Sequence, residues 1–139
     1  MKRVVVISDV HGNLAALEAI VAKLGALKPD QVAILGDHAL FGPKPTETID
    51  LIRKLQSNGA LVTAGTGDIA VADLDYAASF PSLAGGLPPG LKAAVEWASD
   101  ELDTTALSGC VRSQRSVASA TARSASPSAT PHQAHAPSR

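Results

Sequence analysis

The sequence predicts an α/β fold of β-α-β-α-β order, and three observations carry that expectation. Arg3-Val4-Val5-Val6-Ile7-Ser8-Asp9 is a short β-branched run, and Gln31 to Leu35 is a second apolar run. Apolar residues recur at helical spacing after each run. Both runs end in side chains with chemistry: Asp9 and His11 follow the first, and Gly36-Asp37 follows the second. In open α/β sheets ligands bind outside the carboxyl ends of the strands, which is where these residues stand.

The elements follow in order. The first run shows no polar alternation, so it is expected to be a strand buried on both faces. Leu14, Leu17, Ile20, Val21 and Leu24 then form one helical stripe, with Asn13 a good N-cap. Lys28-Pro29-Asp30 ends that helix before the second strand. Pro45 suits a first helical turn, and Ile49, Ile52 and Leu55 repeat behind it. Asn58-Gly59 is a C-terminal stop, and Ala60-Leu61-Val62-Thr63 reads as a third strand. Strands alternating with helices require parallel crossover units. From Asp68 to Phe80 the pattern predicts a loop, with Asp73 and Asp75 solvated, and residues 81–90 read as a Pro/Gly linker. Leu91, Val95, Ala98 and Leu102 mark a further helix whose Trp97 is expected in a core or an interface. Asp103-Thr104-Thr105 resembles the cap of one more helix.

The strand-end residues form a candidate metal site. Side chains at i and i+2 on extended backbone share a face, so Asp9 and His11 can reach one ion if the chain stays extended through Val10. Asp37 joins them from the neighbouring strand, and Gly36 lets the backbones approach. Such mixed oxygen and nitrogen donors suit Mn, Fe, Zn, Co or Ni better than Ca. A single aspartate after a strand is often only a turn former, and it is the second strand-end acid that favours a metal. His38 is expected to point away from the ligands, in a loop or supporting role.

Ser8-Asp9-Val10-His11-Gly12-Asn13 resembles the first motif of the calcineurin-like metallophosphoesterase superfamily. Gly36-Asp37, followed by Phe41-Gly42-Pro43-Lys44-Pro45, resembles the second, and the wording is most similar to the small bacterial phosphodiesterase branch. The resemblance runs from about Met1 to Leu107. It implies the family's sandwich fold, here as its N-terminal β-α-β-α-β half. It also implies a metal-dependent phosphoesterase acting on a phosphodiester or nucleotide-type substrate. Asp9 and His11 would bind one metal, and Asp37 would bridge two. Paired cations about 3.5–4 Å apart hold a hydroxide between them and clamp a phosphoryl group. Family cofactors are two divalent ions, drawn from Mn, Fe, Ni, Zn or Co.

The third motif departs from the family pattern. Gly65 and Asp68 match it, but Thr66 stands where an asparagine ligand belongs, and a hydroxyl is the poorer donor. Gly67 occupies the place of the histidine general acid, so no catalytic residue is identifiable. Asn13 and Gly65 are expected near bound phosphate. The remaining family histidines do not follow Asp68, and His132 and His135 lie in a segment without helical character. The expectation for this chain is therefore one bound ion or none. The alternative reading is a truncated, catalytically impaired fragment.

Composition changes at Ser108, giving two expected parts: a domain at residues 1–107 and a Ser/Ala/Arg/Pro tail at 108–139. The first part carries eight basic and thirteen acidic residues, the second four arginines and no acid. The tail has too few large apolar groups to offset the entropy of ordering, so disorder is expected. A reading-frame change or gene truncation would produce such a segment. Four dispersed arginines are too thin a footprint for nucleic acid, and no membrane partner is expected. A single cysteine, Cys110, fits a reducing cytoplasm. The substrate would be a small phosphoester. The resemblance implies two stacked sheets and this chain supplies strands for one, so a bare sheet face would drive self-association. Sedimentation at increasing concentration should reveal oligomers, whereas a cooperative monomer would refute this.

Overall fold

The computed structural model describes residues 2–83 and 85–102. The tail, Cys110, His132, His135 and the cap expected at Asp103 lie outside the described residues. The elements are β1 (Val4–Ser8), α1 (Leu14–Leu27), β2 (Gln31–Leu35), α2 (Pro45–Ser57) and β3 (Leu61–Thr63). They continue as α3 (Thr66–Asp73), α4 (Tyr76–Ser79), a 3-10 turn at Pro81–Leu83 and α5 (Pro89–Glu101). The three strands form one parallel sheet in the order β1-β2-β3, as the crossover pattern predicts.

Local signals explain the first half. Asn13 caps α1 by accepting a 3.1 Å hydrogen bond from the Ala16 amide. The helix stops where Lys28 turns left-handed, and Pro29 follows. Pro45 opens α2, and its Ile49 and Ile52 are wholly buried. Asn58 and Gly59 end it, Gly59 at a φ of 96°.

Among the described residues, the sheet is covered on one face only. Ile7, Ile34 and Val62 pack beneath α1 and α2, against Leu17 and Ile52. The register aligns Val6, Ala33 and Leu61 in a row across the opposite face. Val4 is 54% exposed there, Val6 58% and Leu61 60%. This corrects the expectation that β1 is buried on both faces. An unbroken valine run signals a strand without saying how many layers cover it.

The segment after Asp68 is a second correction, because it is helical. Its apolar residues Ile69, Ala70 and Val71 are contiguous, so they give no stripe. The start signal is also hidden, since Gly65 has no capping side chain. Instead the Gly65 amide donates back to the Asp68 carboxylate at 2.9 Å. Asp75 is exposed, as expected, and also caps α4 through the Ala78 amide at 3.0 Å. Ala70 and Val71 pack with Val95 and Ala98 of α5 and Ile49 of α2 into a second core. Trp97 lies on the outer side of α5, 41% exposed, and not in that core. Ile20 likewise falls on the exposed side of α1.

Backbone approaches set the geometry beyond the strand ends. A Cβ built on Gly42 would stand 2.5 Å from the Gly12 carbonyl carbon, whereas one on Gly25 would meet nothing within 4 Å. Gly42→Ala should therefore destabilise the chain by about 3 kcal/mol through forced overpacking. Gly25→Ala, on α1, should stabilise it by about 0.5–1 kcal/mol. Urea melts of the two variants should move in opposite directions.

Candidate metal centre

Three loops meet at the carboxyl edge of the sheet. Beyond β1 and β2 the parallel pairing continues through loop backbone. The Asp9 amide donates to the Gly36 carbonyl (3.4 Å), His11 to Asp37 (2.9 Å) and Gly12 to His38 (2.6 Å). The Gly36 amide in turn donates to the Thr63 carbonyl of β3 (2.8 Å).

This ladder brings together Asp9, His11 and Asp37, whose ligand atoms lie within 4.8 Å of one another. The chain does not stay extended through this turn, contrary to the expectation for Asp9 and His11. Asp9, His11 and Asp37 have φ values of 56°, 49° and 53°, all left-handed. The convergence comes from hydrogen-bonded turns instead of strand alternation. Left-handed non-glycine residues are uncommon, though asparagine, aspartate and histidine tolerate the region best.

Backbone groups orient His11 and Asp37, and a hydroxyl orients Asp9. His11 Nδ1 sits 3.0 Å from the Leu40 carbonyl. A carbonyl only accepts, so Nδ1 carries the proton and Nε2 presents its lone pair. That Nε2 faces Asp9 Oδ1 at 3.8 Å. Such a hydrogen bond on the far ring nitrogen is how metal-ligating histidines are held. Asp37 Oδ1 accepts from the Gly67 amide at 2.8 Å. The Ser8 hydroxyl lies within reach of Asp9 Oδ2 and of the Leu35 carbonyl.

The residues present fit a divalent cation. Two carboxylates stand close together, and among the described residues neither pairs with a lysine or arginine. The nearby Lys44 is engaged with Glu47 at 3.4 Å. Mutual repulsion of the carboxylates would be relieved by a bound cation.

The other predicted residues divide. Asn13 lies two residues beyond His11 at the start of α1, with its side-chain oxygen committed to the cap. Gly65 is pressed against Asp37, where a Cβ would stand 2.5 Å from the Asp37 nitrogen. Thr66 is exposed at the first position of α3. At Gly67 a Cβ would lie 2.9 Å from Asp37 Oδ1 and 3.2 Å from Leu40 Cδ2, so a side chain there requires Asp37 to shift. His38 is wholly buried, and its Nε2 donates to the Thr63 carbonyl at 2.7 Å. It is thus turned away from the ligands, as expected. The Leu40 carbonyl and the Gly67 amide were missed, because backbone donors and acceptors leave no mark on side-chain type.

Comparison with known proteins bears on this geometry. A family model described as calcineurin-like phosphoesterase matches residues 2–73. An uncharacterized protein of Methanocaldococcus jannaschii is 31% identical over 81 residues, which is 58% of this chain and 33% of that protein. The crystal structure of a metallophosphoesterase from Sphaerobacter thermophilus superposes with a TM-score of 0.55 at 30% identity. The superposition covers 78% of this chain and 40% of that one. The chain thus spans about a third of the length of the first relative and two fifths of the second.

A cation bound only by the folded state stabilises it by RT ln(1 + [L]/Kd), about 2.7 kcal/mol at 100 times Kd. Adding Mn²⁺ should therefore raise the melting temperature of the wild type. Asp37→Asn should abolish that rise.

Proposed function

The chain belongs to the calcineurin-like phosphoesterase family, and from that premise we propose that its carboxyl-edge site serves metal-dependent phosphoester hydrolysis. The substrate class would be a phosphodiester or a nucleotide-type phosphoester. One observation carries the proposal: Asp9, His11 and Asp37 converge from the ends of two adjacent parallel strands, with ligand atoms within 4.8 Å.

When bound, divalent cations supply positive charge against a phosphoryl group and lower the pKa of water towards neutrality. The chain's own residues supply the rest. Asp9 and Asp37 provide the negative charge that retains a cation. The Leu40 carbonyl keeps the His11 proton on Nδ1, leaving Nε2 as a donor atom. The Gly67 amide occupies one oxygen of Asp37 and so fixes the carboxylate plane. The start of α1, capped by Asn13 directly after the ligand turn, carries the positive end of a helix dipole suited to an anionic phosphate. Mn, Fe, Ni, Zn and Co are the ions that such a donor set favours.

A second reading is favoured by the crowding at Gly67 and the exposed hydroxyl at Thr66. On that reading the chain binds one cation and does not turn over. Among the described residues, no histidine, cysteine or acidic group beyond these three joins the cluster. Partial sites also lose metal readily.

Hydrolysis of bis-p-nitrophenyl phosphate with added Mn²⁺ separates the readings. The hydrolase reading expects turnover above the Mn²⁺ blank that disappears in both Asp9→Asn and Asp37→Asn. Binding of Mn²⁺ without turnover in the wild type would favour the second reading.

A further inference from the structure

Asp68 is a buried carboxylate that the proposed chemistry does not use. It is fully buried, and among the described residues no lysine or arginine neutralises it. Burying a charge this way is costly unless hydrogen bonds compensate. Here Asp68 Oδ1 accepts from the His38 amide at 2.7 Å and the Ala39 amide at 3.3 Å. Its Oδ2 accepts from the Gly65 amide at 2.9 Å and lies 3.8 Å from His38 Nε2, which itself donates to Thr63. One side chain therefore binds backbone on both sides of the crossing between the β2 loop and the start of α3.

We infer that Asp68 is a positioning residue for the cation site, which it serves by holding the α3 start against Asp37. The inference rests on the reading of Asp9, His11 and Asp37 as cation ligands. His38 and Ala39 directly follow Asp37, and Gly65 opens the turn that presents the Gly67 amide. Fixing both segments to one carboxylate places the Gly67 amide 2.8 Å from Asp37 Oδ1. The carboxylate is thereby oriented before any cation arrives. Asp68 itself stands behind Asp37 and is not a ligand. In Asp68→Asn one amide group must face a backbone amide, so part of the clamp is lost while the shape is kept. Losing such a supporting partner weakens metal affinity by about 10–100-fold.

The test measures Zn²⁺ affinity by calorimetry in the wild type, Asp68→Asn and Ile52→Ala, under conditions where each is folded by circular dichroism. Ile52 is wholly buried beneath the sheet, and its truncation lowers stability without touching the clamp. Asp68→Asn should weaken Zn²⁺ by about 10–100-fold, and Ile52→Ala should leave the affinity unchanged. The Gly67 amide resonance should move in Asp68→Asn and not in Ile52→Ala. Equal affinity in Asp68→Asn and wild type would overturn the proposal, as would equal weakening in both variants. A measurement on the wild type alone stands if Asp68→Asn does not fold. Scalar coupling across the Gly67–Asp37 hydrogen bond should be present before Zn²⁺ is added. Coupling that arises only with Zn²⁺ would assign the ordering to the cation and overturn the role of Asp68. Wild type that binds no Zn²⁺ would remove the cation site itself, and this inference with it.

Discussion

The whole carboxyl edge of this chain depends on backbones crossing at distances that leave no room for a Cβ. Gly12 meets Gly42 at one crossing, and Gly36 meets Gly65 at the other; a Cβ on Gly36 would stand 2.6 Å from the Gly65 Cα. Each crossing brings a ligand-bearing turn against the next loop. The amide-to-carbonyl ladder from Asp9 to Gly12 can then form, and it carries Asp9, His11 and Asp37 to one point. Of the six non-glycine residues with positive φ among the described residues, four lie in these loops: Asp9, His11, Asp37 and Phe41. Backbone strain of this kind costs about 1–3 kcal/mol per residue and persists only where surroundings over-determine it. The paired glycines and the ladder are those surroundings.

Two apolar cores hold the crossings in place. The core beneath the sheet fixes β1, β2 and β3 in register, so the turns leave the strands side by side. The second core anchors α3 on α5 and α2, with Leu40 of the β2 loop inside it. Leu40 joins the two functions in one residue. Its side chain is buried in that core, while its carbonyl accepts from His11 Nδ1. The orientation of His11 is thus set by packing between helices. Among the described residues, no helix is long and apolar enough to cross a membrane.

Much of this arrangement was legible in the sequence, for physical reasons that also mark where legibility ended. β1, α1, β2, α2 and β3 announce themselves through apolar runs, an Asn13 cap, Pro45 and Asn58-Gly59. The three candidate ligands were legible because acids and an imidazole at strand ends are chemically distinctive. Their backbone path was not, because the left-handed turns at Asp9 and His11 depend on contacts with the distant loop at Gly42. The α3 helix was hidden by a cap made from a glycine amide and the Asp68 carboxylate. The open sheet face followed only from the family resemblance, since Val4 and Val6 look like core residues in one dimension.

The central claim is that Asp9, His11 and Asp37 form a divalent cation site assembled by those glycine crossings. Anomalous diffraction from crystals soaked in MnCl₂, collected above the manganese edge, tests it most directly. A peak should stand in contact with Asp9, His11 Nε2 and Asp37. Crystals in which that position stays without anomalous signal at millimolar Mn²⁺, or in which the ion binds elsewhere, would contradict it.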